Sequence, residues 1–126
     1  MTEADLKKRT KSLALRVMKL VDALPKSLST RVIANQLIRS GTSVGANYRS
    51  ACRGRSKAEF AAKLVLIEEA DESAYWLELI MEGGLLSEKQ VQALWNEVNE
   101  ITAIMVASRK TAMKQAATDR KPKPQS

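Results

Sequence analysis

Four successive segments of this chain carry apolar side chains at three- and four-residue spacing, and the residues that break helices fall between them. Leu6, Leu13, Val17, Leu20, Val21 and Leu24 mark the first segment, which stops before Pro25 because a proline disfavours α geometry in the residue preceding it. In the second, Ile33, Leu37, Ser40, Val44, Tyr48 and Ala51 gather within an arc of roughly 80° when each residue advances about 100°. Ser56-Lys57-Ala58-Glu59 and Ser87-Glu88-Lys89-Gln90 are capping boxes that open the third and fourth segments. Gly83-Gly84 closes the third by supplying left-handed conformers without a Cβ clash. Val91, Leu94, Trp95, Val98, Ile101, Thr102 and Met105 form the inward face of the last. The pattern predicts helices near 4–24, 29–53, 57–82 and 88–113 and no strand. The connections between them are short, which makes neighbours antiparallel, so the expected fold is all-α: an antiparallel up-down four-helix bundle.

Aromatics at 4% and only 5 glycines and 3 prolines agree with helices rather than a sheet sandwich. A chain of 126 residues without an internal Gly/Pro/Ser-rich linker is expected to form one domain, over residues 1–113. Residues 114–126 are expected to be a basic disordered tail, since the apolar period fades there and the ending Lys121-Pro122-Lys123-Pro124 is polar. The opening segment lacks the apolar core of a signal peptide and no run reaches the roughly 18 residues of a membrane span, so a cytoplasmic location is expected.

Charge is distributed unevenly. Residues 23–58 carry seven basic side chains and no acidic one, whereas residues 59–109 carry three basic against ten acidic. That asymmetry points to a polyanion partner, or to complementary halves that pair within or between subunits. On the helical wheel Arg31, Arg39, Arg49 and Arg53 form one stripe, opposite the apolar face of the second helix. Guanidinium forks bind phosphate and carboxylate alike, so the stripe reads either as a phosphate-binding surface or as the partner of acidic residues on the third helix. Lys7, Lys8, Arg9, Lys11, Arg16 and Lys19 on the first helix read as a solvated face, with nucleic-acid contact the sharper alternative.

In the small-residue run Ser40, Gly41, Ser43, Gly45 and Ala46 the serines and glycines lower helix propensity, each glycine by up to about 1 kcal/mol relative to alanine. A close crossing with another helix would offset that cost; a kink or anion nest at Gly41 or Gly45 is the rival reading. On the third helix Phe60, Ile67, Ala70, Ala74, Leu77 and Met81 make the main apolar face, while Val65, Trp76 and Leu79 stand on the other side among acids. A helix apolar on two sides is buried on two sides. The second side is expected to meet another subunit, with Val65, Glu68, Glu72, Trp76 and Leu79 as the candidate interface.

Gln36, Arg39-Ser40, Ser43-Val44, Ala46-Asn47, Arg53, Arg55-Ser56-Lys57 and Glu59-Phe60, followed by Leu64 and Glu68-Glu69-Ala70-Asp71-Glu72, resemble the bacterial four-helix bundle family. That family is also called the 23S rRNA intervening-sequence, or S23-like, protein family, and the resemblance covers about residues 5–110. It implies an antiparallel bundle assembled as a homopentamer. The chain is similar, more distantly, to the accessory variability protein of diversity-generating retroelements, which implies a pentameric basic barrel that binds reverse transcriptase and nucleic acid. Many members carry Ile-Pro-Ala-Asn-Ile-Ala-Glu-Gly where this chain has Val44-Gly45-Ala46-Asn47-Tyr48-Arg49-Ser50-Ala51. Without the proline the second helix is free to run straight, and without the glutamate its basic stripe is left unneutralised.

No histidine is present for acid-base work or metal ligation, and the single Cys52 has no evident base partner, so neither catalysis, a metal nor a cofactor is expected. Two functions follow. One is a nucleic-acid-binding accessory protein that holds RNA or DNA through Arg31, Arg39, Arg49 and Arg53, with Arg55 and Lys57 just beyond the stripe. The other is a protein-interaction or scaffold oligomer in which those arginines meet the acids of a neighbouring subunit.

Overall fold

The computed structural model describes residues 1–119; Arg120–Ser126, the end of the expected tail, lies outside the described residues. The helices are α1 Glu3–Asp22, α2 Leu28–Cys52, α3 Lys57–Ala62, α4 Leu66–Glu82 and α5 Glu88–Asp119, and no strand occurs among the described residues. α3 and α4 together occupy the third place of a four-helix bundle. α1 packs on α2, α2 on α4, α4 on α5, and α5 returns to α1. Leu13, Val17, Leu37, Val44, Leu77, Ile80, Val98, Ile101 and Met105 fill the space between them and are fully buried.

Local chemistry sets most of the ends. Ser27 Oγ accepts the amide of Thr30 at 3.2 Å and so caps α2. The box before α5 is complete: Gln90 N–H donates to Ser87 Oγ at 3.3 Å and Ser87 N–H to Gln90 Oε1 at 3.0 Å. The box before α3 is half complete. Glu59 N–H donates to Ser56 Oγ at 3.1 Å, but the Glu59 carboxylate accepts the amide of Arg55 at 3.2 Å instead of that of Ser56. Thr2 and Asp5 form a further capping box at α1 that the apolar pattern did not reveal. Of the two glycines after α4, only Gly84 takes the left-handed conformation, with φ 67°.

The expected single helix over 57–82 is broken. At Lys63–Val65 the bonding tightens to three-residue spacing, with Leu64 N–H donating to Ala61 O at 3.2 Å and Ile67 N–H to Leu64 O at 3.3 Å. Leu64 and Leu66 are both buried. On a regular α-helix two residues so spaced diverge by about 160°, and a tight turn reduces that to about 120°. Burying both leucines therefore favours the joint over a straight helix. The last helix also departs from its expected end at 113 and continues to Asp119. Ala112 and Ala116 are 4% exposed, and α5 faces Ala58, Ala61 and Ala62 of α3 across a shallow recess. A stripe of alanines escapes an apolar-period reading but still packs closely.

The glycines of α2 face α1. A Cβ on Gly41 would stand 2.9 Å from Val17 Cγ2, and one on Gly45 would stand 3.2 Å from Thr10 Oγ1. α2 runs unbroken past both, so the small residues serve a close crossing and not a kink. Ser40 and Ser73, both fully buried, satisfy each other across α2 and α4 through a hydroxyl hydrogen bond of 2.8 Å.

Between α1 and α5, Arg9 Nε donates to Glu97 Oε2 at 2.9 Å, a second N–H meets the other carboxylate oxygen, and Glu100 lies 3.1 Å away. The bond from Arg9 holds Glu97 below the ordinary value of 4.5, against the upward push of partial burial. Because the folded-state value is the lower one, the stabilisation is present above the ordinary glutamate range and is lost as pH falls through the depressed value. Glu97→Gln is expected to cost about 1 kcal/mol at neutral pH and to make the acid limb of the stability curve shallower. Thermal melts across that range check this; an acid limb as steep as the parent's would contradict it.

Candidate nucleic-acid interface

The close α1/α2 crossing leaves a valley on the outer surface, and basic side chains stand on both of its walls. Lys7, Lys8 and Lys11 come from α1 and Arg49 and Arg53 from α2; Ala14, Gly45 and Ala46 lie between. The groove has a volume of about 640 Å³, and among the described residues no acidic one lines it. Lys7 forms an exposed 3.1 Å (i, i+4) pair with Glu3, which solvent screens. Among the described residues no carboxylate lies within ion-pair distance of Lys8, Lys11, Arg49 or Arg53. The hydroxyls of the groove point their protons inward: Thr10 Oγ1 donates to Leu6 O at 2.9 Å and Thr42 Oγ1 to Ile38 O at 2.6 Å. Its free donors are therefore cationic.

The six basic candidates do not form one site. Arg49 and Arg53 stand in the groove. Arg39 turns to the α4 side, where it binds Glu69 at 3.0 Å and also Glu72, so its fork is occupied within its own chain. Arg31 borders a separate recess that includes Asp22. Arg55 and Lys57 border another that includes Glu3 and Asp119. An anion would meet a carboxylate in either recess. From the sequence the lysines of the α1 wall read as a solvated face with nucleic-acid contact as the alternative, and Ala4, Lys7, Lys8, Lys11 and Ala14 lie on one helical face that mixes cations with small residues.

The all-α bundle has known relatives. The family described as 23S rRNA-intervening sequence protein matches residues 2–107. This chain belongs to that family. It is also similar to the crystal structure of a protein of unknown function from the S23 ribosomal protein family of Bacteroides thetaiotaomicron VPI-5482. The two are 32% identical with a TM-score of 0.79, over 87% of this chain and 99% of the other. No curated protein matches the chain.

On the candidate subunit face, Val65 in the joint before α4 is 51% exposed and Glu68 on α4 is exposed. Trp76 and Leu79 are partly buried, and Trp76 packs against the core of its own chain, where its indole N–H has no acceptor among the described residues. Glu72 is engaged by Arg39. Neighbouring Tyr75 is 54% exposed and adds to the outward apolar surface. Cys52 is half-buried, and burial pushes its thiol up, away from the thiolate form a nucleophile needs. No helix among the described residues is long and apolar enough to cross a membrane.

Proposed function

We propose that this chain is a cytoplasmic, non-enzymatic accessory protein that binds nucleic acid as an oligomer, gripping phosphates in the α1/α2 groove. The observation that carries the reading is the acid-free convergence of Lys8 and Lys11 with Arg49 and Arg53 on facing walls. Four cations without a carboxylate partner have a Coulombic deficit that a phosphate chain satisfies, and contacts of that kind tolerate any base sequence. The lack of histidine and the raised Cys52 thiol support a binding role over catalysis. A lone cysteine fits a reducing compartment. Exposed Val65 and Tyr75 beside Leu79 support a subunit contact on α4; the number five rests on the family resemblance. Oligomer symmetry would repeat the groove and convert weak single contacts into useful affinity.

Fluorescence anisotropy with labelled RNA and DNA tests the binding, and light scattering tests the assembly. Arg49→Ala and Arg53→Ala together are expected to weaken binding by about tenfold or more without changing the mass of the assembly, because lost phosphate contacts lower affinity whatever the base sequence. Arg39→Ala is expected to leave affinity close to the parent's. If the Arg49 and Arg53 changes dissociate the oligomer, and the parent shows no salt-sensitive binding, the arginines join subunits and the chain is a scaffold.

A further inference from the structure

We infer that the α1/α2 groove seats one strand of a double helix by its sugar–phosphate backbone, with the bases turned away from the protein, and so takes duplex in preference to unstructured single strands. The inference rests on the nucleic-acid reading above and names the form of its ligand. Two observations carry it.

The first concerns width. Gly45 brings α2 against the backbone of Thr10, so the valley lies between helices in close contact. Packed helix axes are about 8–10 Å apart. A valley between helices that close receives a single backbone strand and not the whole cylinder of a duplex. Lysines on one wall and arginines on the other then meet phosphates from both sides.

The second concerns what the groove lacks. Proteins that hold single strands stack successive bases on aromatic side chains. Among the described residues no aromatic side chain lines this groove. Tyr48, on the same helix, is 3% exposed, and the other aromatics belong to α3, α4 and α5. Among the described residues no asparagine or glutamine, which read adenine edges, lines the groove, and both threonine hydroxyls donate to their own helices. A flexible strand would pay the entropy of ordering its backbone with no stacking to offset it. A duplex arrives with its backbone already ordered and its bases already paired. The chemistry recognised is an ordered phosphodiester strand, which duplex RNA and duplex DNA both present.

Anisotropy titrations of the full chain test this with a strand of about 20 uridines or thymidines and with RNA and DNA duplexes of about 20 base pairs, using the parent and the Arg49→Ala, Arg53→Ala variant. The expected result is at least one duplex bound about tenfold tighter than the matching strand, with the advantage lost in the variant; the tighter duplex identifies the source. Single strands bound as tightly as duplexes, and equally sensitive to the variant, would overturn the duplex inference and leave the nucleic-acid reading standing. No salt-sensitive binding to any of the four would overturn both.

Discussion

Gly45→Leu is expected to destabilise the bundle by about 3 kcal/mol, the upper part of the range for overpacking a close contact. The helix itself would gain about 0.8–1 kcal/mol in propensity, so the loss must come from the crossing. A Cβ at this position would stand 3.3 Å from both the carbonyl carbon and oxygen of Thr10. Those are backbone atoms, which cannot move aside by changing rotamer; α1 has to shift outward to admit a branched side chain. Ala46→Leu, one residue along, is the control. Ala46 is exposed and lines the groove, so its substitution should change stability by no more than about 0.5 kcal/mol. It should still weaken nucleic-acid binding by filling the valley. Denaturant melts separate the two variants, and a Gly45→Leu protein as stable as the parent would mean that the helices do not pack as closely as described.

The bundle was legible because its signals are local. Pro25, the serine caps and Gly84 act within a few residues of themselves, and the apolar faces of α1, α2 and α5 repeat over enough turns to leave one solution. The joint at Lys63–Val65 was not legible, since both Leu64 and Leu66 fit an apolar pattern and only packing against the other helices decides that both are buried. The end of α5 was missed for a related reason: Ala112 and Ala116 carry little hydrophobic signal, yet they suit a close approach to the alanines of α3. The arginine stripe was legible as an arc but not as a site. Arg39 and Arg49 lie about 80° apart on the wheel. That separation is enough to put one beside the acids of α4 and the other over α1. A wheel records angle on one helix and nothing of what stands opposite, so it could not show that Lys8 and Lys11 complete the groove and Arg39 leaves it.

Binding to duplex DNA is expected to weaken roughly 150-fold between about 50 and about 200 mM salt for each engaged groove. The figure follows from four cations, Lys8, Lys11, Arg49 and Arg53, each neutralising one phosphate and releasing about 0.9 counterion, for a log–log slope of about −3.6. Lys7 is left out because Glu3 already neutralises it in part. The slope discriminates where affinity alone would not. Arg53→Ala and Lys11→Ala should each make it shallower by about 0.9, whereas Arg39→Ala should not change it, because Glu69 and Glu72 hold that guanidinium in the free protein. Several subunits gripping one duplex would steepen the parent slope in multiples of the single-groove value while each substitution removed a matching multiple. A parent slope near zero would show that phosphates are not what the groove holds. A steep slope that Arg39→Ala reduces and Arg53→Ala does not would place the binding surface on the α2/α4 side of the bundle instead.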